Sequence, residues 1–303
     1  MANELRHAVI GLPRSGKTTY LAALWHLVTA DEVDVGLVCR SMRGDMAYLT
    51  EIAERWRRCL PMERTRSLTS AYVELELTDK GTDFDLCFPD VAGESFHEQL
   101  MTRQLDAEHA NWLQHPGGTL LFLSAEVGPD GQRLSELDGL LDDDKETEGT
   151  VGGRAELEAE TQISATDAEA QWTPKMMTEQ SKLVELLQIS RHLDDLGLRR
   201  RLVIIISAWD IIRGEGISPN DWLKRERPLL WQFIQASAEE LQTQIFGVSA
   251  QGGHVEDEDK RAELLDFAAP SERIYCFDGV VEDHDLTRPL RWLNQPLTSE
   301  AVG

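Results

Sequence analysis

An apolar stretch, His-Ala-Val-Ile at 7–10, runs directly into Gly-Leu-Pro-Arg-Ser-Gly-Lys-Thr at 11–18, and then into a helix-like segment reaching Val28. The middle eight residues fit GxxxxGK[ST] completely, and no other feature narrows the possible folds as far. Gly11 and Gly16 let the backbone bend around an anion so that its N–H groups converge on oxygen. Lys17 then reaches the outer phosphates, the Thr18 hydroxyl can ligate Mg²⁺, and the next helix offers its positive end. Pro13, Arg14, Ser15 and Thr19 complete the nucleotide-binding wall of this cradle. Roughly one chain per hundred of this length carries the pattern by chance. A strand before it and a helix after it leave few such accidents.

Elsewhere, strand-like and helix-like pieces alternate. Asp45–Arg58 has helical periodicity. Ser70–Thr78 and Asp83–Phe88 alternate as a strand pair around Lys80-Gly81. The continuous apolar runs Thr119–Ser124 and Leu202–Ser207 read as central strands covered on both faces. Helices are expected at Lys175–Leu196 and Leu229–Leu241, with a strand near Gln244–Val248 between them and the tail. A short helix near Pro289 is expected to use Thr287 as its cap. The alternation predicts an α/β, three-layer fold: one domain over 1–303, with a mostly parallel sheet and helices on both faces. Two insertions account for the length, a helical one over 31–65 and an acidic one over 126–172.

The chain holds 30 Lys+Arg against 54 Asp+Glu, a formal charge of −24. Such a field repels phosphate backbones and anionic bilayers, so no direct nucleic-acid partner is expected. From Glu126 to Glu169, fourteen carboxylates stand against three basic side chains, among few large apolar residues. That composition predicts a solvated, mobile insertion. Four scattered cysteines without metal-ligand spacing predict reduced thiols. The absence of a leader or a long apolar run predicts a cytoplasmic chain with no membrane span. The basic run 199–201 is expected to cap a helix end and solvate a sheet edge. The tryptophans are expected as core or interface anchors, with Trp209 as the exception.

Three further motifs sit at predicted strand ends. Asp90-Val-Ala-Gly-Glu94 places a carboxylate near a metal, usually through water, and the Gly93 N–H beside a terminal phosphate. In Ser207-Ala-Trp-Asp210, the Asp210 carboxylate can accept two hydrogen bonds from a guanine edge. Ser249 and Ala250 follow another strand and can present backbone N–H groups to the base. With these motifs in this order, the sequence resembles the translation-factor-related (TRAFAC) and Ras-like P-loop GTPases. Residues 11–25, 89–94 and 285–293 also resemble a prokaryotic double-GTPase group of conflict and antiviral defence systems. The resemblance implies a GTP-binding hydrolase that takes GTP or GDP as ligand with Mg²⁺ as cofactor. It further implies a switch acting on a protein partner, such as a second GTPase or an effector subunit.

Several site assignments follow from that resemblance. Thr18, Thr65 and Asp90 would hold the metal, and Glu94 would position water where many relatives place Gln. Thr65 is the switch threonine of choice and Thr69 the fallback, within roughly forty residues between the first helix and the next strand. Arg64 or Arg14 would supply transition-state charge, an effect worth about 10³–10⁵ in rate. Without such a donor, turnover of the isolated chain is slow. Ser207 and Ala208 replace the usual Asn-Lys of the base-reading motif. That departure keeps two rivals open: a non-hydrolysing nucleotide-binding scaffold, and a P-loop ATPase.

Overall fold

The computed structural model describes residues 5–30, 32–62, 73–88, 94–102, 104, 110, 117–126, 177–192 and 200–295, with 94–97 described by backbone alone. In chain order the elements are β1 (Leu5–Gly11), α1 (Lys17–Ala30), β2 (Leu37–Gly44), α2 (Met46–Arg57), β3 (Val73–Asp79), β4 (Thr82–Phe88), α3 (Glu94–Thr102) and β5 (Thr119–Ser124). There follow α4 (Glu179–His192), β6 (Arg200–Ser207), α5 (Pro219–Glu226), α6 (Pro228–Ala236), β7 (Leu241–Ser249), α7 (Glu258–Leu265), β8 (Tyr275–Phe277), β9 (Glu282–Asp283) and α8 (Thr287–Leu293). Short 3₁₀ turns lie at Trp209–Ile211, Arg213–Glu215 and Pro270–Arg273.

The strands form one sheet in the order β2-β3-β4-β1-β5-β6-β7-β8-β9. β4, β1, β5, β6 and β7 are mutually parallel, and antiparallel strands flank them at both ends. Every residue of β5 is buried, as its continuous apolar run requires. Alternate residues of the parallel strands feed two cores. Val9, Phe122, Val203 and Val248 pack with α1, α2 and α8 on one face. Ile10, Leu121, Leu123 and Ile204 pack with α3, α4, α5 and α6 on the other. The result is the expected three-layer α/β fold. After β1 the chain moves to the β4 side, and after β4 it returns to β5. The carboxyl ends of β1 and β5 therefore border a topological switch point, where open α/β sheets bind ligands.

Several expectations are corrected here. The first part of the 31–65 segment, expected as helical, is the edge strand β2, held by antiparallel pairing to β3. Among its described residues only α2 is helical, and the Asp45 side chain caps that helix by accepting the Tyr48 N–H at 2.9 Å. Thr287 does not cap α8. It is fully buried, and its N–H and hydroxyl both donate to Asp285 Oδ1, at 2.8 and 2.6 Å. The stretch expected as one helix over 229–241 ends at Ala236, and Leu241 opens β7. Arg201 solvates no edge. It lies buried in central β6, donates to Trp292 O at 2.9 Å and stacks on that indole.

Other expectations match. Lys80 (φ 48°) and Gly81 (φ 90°) form the two-residue turn between β3 and β4, the left-handed pair that suits a right-twisted hairpin. All four cysteines are free thiols, three of them buried. Among the described residues, no helix is long and apolar enough to cross a membrane. The acidic insertion, apart from Glu126, lies outside the described residues. Finally, the Tyr20 hydroxyl donates to Leu286 O at 2.8 Å, fastening α1 to the segment that leads into α8.

Candidate functional site

The turn from β1 into α1 is built by close approach. A Cβ on Gly11 would stand 2.8 Å from Phe122 O, so the first cradle residue lies flush against β5. Gly16, at φ +90°, faces Ser207 at the end of β6 with no space for a side chain. Arg14 takes φ +65°, the left-handed conformation that bends the loop, and its side chain is exposed. Lys17 is 2% exposed and donates to Gly11 O at 2.8 Å and Leu12 O at 3.0 Å. Its ammonium is thereby fixed within the loop, with backbone oxygens offsetting part of its desolvation.

Beside the cradle, the carboxyl ends of β6 and β7 form a second half-site. Ala208 adopts a left-handed conformation (φ 54°, ψ 37°) that turns the chain out of β6 and into the Trp209–Ile211 turn. The Ser249 hydroxyl donates to Asp210 Oδ1 in a short contact, and Ser249 Oγ in turn accepts the Gly252 N–H at 3.1 Å. Asp210 is thus held by a buried serine that also shapes the loop after β7. Trp209 is not a ligand contact. It is 1% exposed and its indole fills the slot left by Gly247, where a Cβ would meet Cδ2 at 2.2 Å.

Both halves line one cleft of about 1000 Å³, within the range of small-ligand sites. Pro13, Arg14, Ser15, Gly16, Lys17, Thr18 and Thr19 contribute from the cradle, and Ser207, Asp210, Ser249 and Ala250 from the second half-site. Gly11 does not line the cleft. Glu94 opens α3, and its side chain is not described; Arg64, Thr65, Thr69, Asp90 and Gly93 lie outside the described residues. A Mg²⁺ ion needs only one or two protein oxygens beside phosphate and water. The Thr18 hydroxyl in the cleft wall fits that donor chemistry. Among the described residues, no group of three or more His, Cys, Asp or Glu side chains could hold a metal.

Sequence reasoning missed several residues of this cleft. Leu60, Pro61 and Met62, which follow α2, form a third wall. Arg55 steadies it by donating to Pro61 O at 2.6 Å. Glu126, counted only as the edge of the acidic segment, pairs with His254 at 3.7 Å, and both side chains line the cleft. Gln251 follows Ser249 and Ala250, but its side chain turns to α2 and donates to Trp56 O at 3.3 Å. No local pattern marks these residues, because the fold alone brings them to the cleft.

Among solved structures, the chain is similar to nucleolar GTP-binding protein 1 from Plasmodium falciparum, at 11% identity, covering 88% of each chain with a TM-score of 0.35. It is also similar to the Roco2 RocCORdC fragment of Methanosarcina barkeri bound to GDP, at 12% identity, covering 93% of this chain and 52% of that one with a TM-score of 0.33. A third likeness is the cytosolic domain of the T. maritima FeoB iron transporter in its GMPPNP form, at 13% identity, covering 88% of this chain and 65% of that one with a TM-score of 0.27. These likenesses are too distant to carry function, and none of the curated proteins matches. The family profile of Double-GTPase 1 matches residues 8–293, nearly the whole chain and every motif placed above. The chain belongs to the Double-GTPase 1 family.

Proposed function

We propose that this protein binds GTP in the cleft, hydrolyses its γ-phosphate with Mg²⁺, and acts as a nucleotide-dependent switch on a protein partner. One observation carries the reading. Asp210, locked by Ser249, lines the same cleft as the Lys17 cradle. A carboxylate only accepts hydrogen bonds. The guanine edge offers two donors, N1–H and the 2-amino group, whereas adenine presents an acceptor at N1. Phosphate recognition and guanine recognition are therefore joined in one site.

In this reading the cradle amides and Lys17 bind the β- and γ-phosphates, and the first turn of α1 adds its positive end. Thr18, Thr65 and Asp90 would hold Mg²⁺, which would supply positive charge against that building on the phosphate oxygens. Gly93 donates its N–H to the γ-phosphate, Glu94 orients the attacking water, and Arg64 or Arg14 supplies positive charge. The segments at Thr65 and at Asp90–Glu94 change with nucleotide state and so alter the surface offered to a second GTPase or effector subunit. Membership of the Double-GTPase 1 family supports GTP binding; pairing with a second GTPase in a bacterial defence system is part of the proposal. Glu94 in place of Gln favours a second reading, a nucleotide-binding scaffold that does not hydrolyse.

The test is Mg²⁺-dependent binding of fluorescent GDP and GTP analogues, with unlabelled GTP, GDP and ATP as competitors, followed by phosphate release under multiple turnover. Guanine nucleotides should compete, ATP should not, and Asp210→Ala should erase the difference. Equal competition by ATP would overturn the guanine reading, and Lys17-dependent phosphate release from ATP would then make the protein an ATPase. Tight binding without phosphate release that depends on Lys17 would leave the scaffold.

A further inference from the structure

Arg273 belongs to two neighbourhoods at once. Its backbone and Cβ pack on the loop after β7: a Cβ on Gly252, which sits at φ +89°, would lie 2.4 Å from Arg273 O and 3.0 Å from Arg273 Cβ. Its guanidinium reaches the other way, to the end of α2. Nη2 donates to Trp56 O at 2.6 Å and to Arg57 O at 3.3 Å, and Nη1 donates to Cys59 Sγ at 2.9 Å. The cation also lies 4.3 Å from the centre of the Trp56 ring.

Three more bonds cross the same seam. The Trp56 indole N–H donates to Ala250 O at 2.8 Å, and the Gln251 amide donates to Trp56 O at 3.3 Å and to Cys59 Sγ at 3.5 Å. Beyond the seam, Cys59 takes φ +51° and turns the chain into Leu60, Pro61 and Met62, the third wall of the cleft.

Burying a guanidinium is costly, and Arg273 is 1% exposed. An apolar side chain would fill the volume with less desolvation. What it lacks is a rigid, planar fork able to hold two helix-end carbonyls and a sulfur together. Helix-end carbonyls are also the negative end of the α2 dipole, which suits a cation there.

We propose that Arg273 is a positioning residue that sets the base-reading loop against the Leu60–Met62 wall, and thereby fixes how sharply the cleft discriminates a purine edge. The proposal rests on the guanine reading above, through which discrimination is measured. Arg273 itself touches no reacting group. Two walls of the cleft move as one body because the Arg273 fork, with the bonds of Trp56 and Gln251 beside it, ties the end of α2 to the loop after β7.

The experiment compares the full chain with Arg273→Gln, Arg273→Lys and Trp56→Phe. The first readout is amide hydrogen exchange without nucleotide. Arg273→Gln should raise exchange at 54–62 and 249–253 together. The second is the ratio of GDP to IDP affinity, since IDP lacks the 2-amino group that Asp210 would accept. That ratio should fall about fivefold or more, the lower end of measured couplings between sites, while inorganic tripolyphosphate binds as before. Arg273→Lys should restore part of both effects. Exchange that rises only around 270–275, or an unchanged affinity ratio, overturns the proposal. If Arg273→Gln does not fold, Trp56→Phe, which removes the indole bond to Ala250 and shrinks the ring under the guanidinium, must show the same paired change or the proposal fails. A wild-type chain indifferent to the 2-amino group would defeat the guanine reading, and exchange alone would then decide whether Arg273 joins the two walls.

Discussion

Gly16 and Ser207 meet without room for another atom: a Cβ on Gly16 would stand 2.6 Å from the Ser207 Cβ and 2.7 Å from its hydroxyl oxygen. The turn from β1 into α1 and the carboxyl end of β6 therefore share one contact surface. Gly16→Ala should push them apart and also strain a residue at φ +90°. The backbone strain alone costs about 1–2 kcal/mol, and GDP affinity should fall at least tenfold. The double variant with Ser207→Gly removes the collision but not the strain, so titrations should show partial recovery. No recovery would mean that strain alone governs the site.

Ser249 carries two jobs through one oxygen, donating to Asp210 and accepting from Gly252. Ser249→Ala leaves a buried N–H unsatisfied, which costs about 1–3 kcal/mol. Urea unfolding should register that loss of stability. Nucleotide competition should show a reduced preference for GDP over ADP, because Asp210 is no longer locked.

Trp209 lies in the turn that follows β6 but points into the core against Gly247. Trp209→Phe should destabilise the fold by about 0.5–3 kcal/mol through lost packing. The GDP-to-ADP ratio should remain at the wild-type value. A changed ratio would place the indole against the base.

His7 is buried and accepts the Gly118 N–H at Nδ1, at 2.9 Å. Burial lowers its pKa from 6.5 to about 4. Between those values the unfolded chain binds a proton that the folded chain refuses, so stability falls as pH falls. At pH 5 the loss from this group is about 2 kcal/mol relative to neutral pH. Unfolding free energies measured at pH 5 and 7.5 should converge by about that amount in His7→Gln. An unchanged pH dependence would show that His7 charges freely in the fold.

The cradle was legible in the sequence because its chemistry fixes residue types at fixed spacing. The central strands were legible because burial on both faces demands unbroken apolar runs. β2 was not. Of Leu37–Gly44 only Leu37 is buried, and two arginines and a glycine interrupt any alternation. Pairing to β3, not local preference, makes it a strand. Trp209 misled for a different reason, since a motif position says where a backbone goes and not which way an indole points. Arg273 gave no local signal at all: its hydrogen-bond partners lie more than two hundred positions earlier in the chain.

The bond from the Tyr20 hydroxyl to Leu286 O spans 266 positions. On a ribosome adding about 5–20 residues per second, roughly 15–50 s separate the appearance of its two ends. For that interval α1 exists without the neighbour that fastens it, and Leu21, Leu24 and Leu27, buried in the finished fold, lack their full cover. The earliest-made part of the cleft is thus among the last to be secured, and until Leu286 emerges the apolar face of α1 waits for its cover.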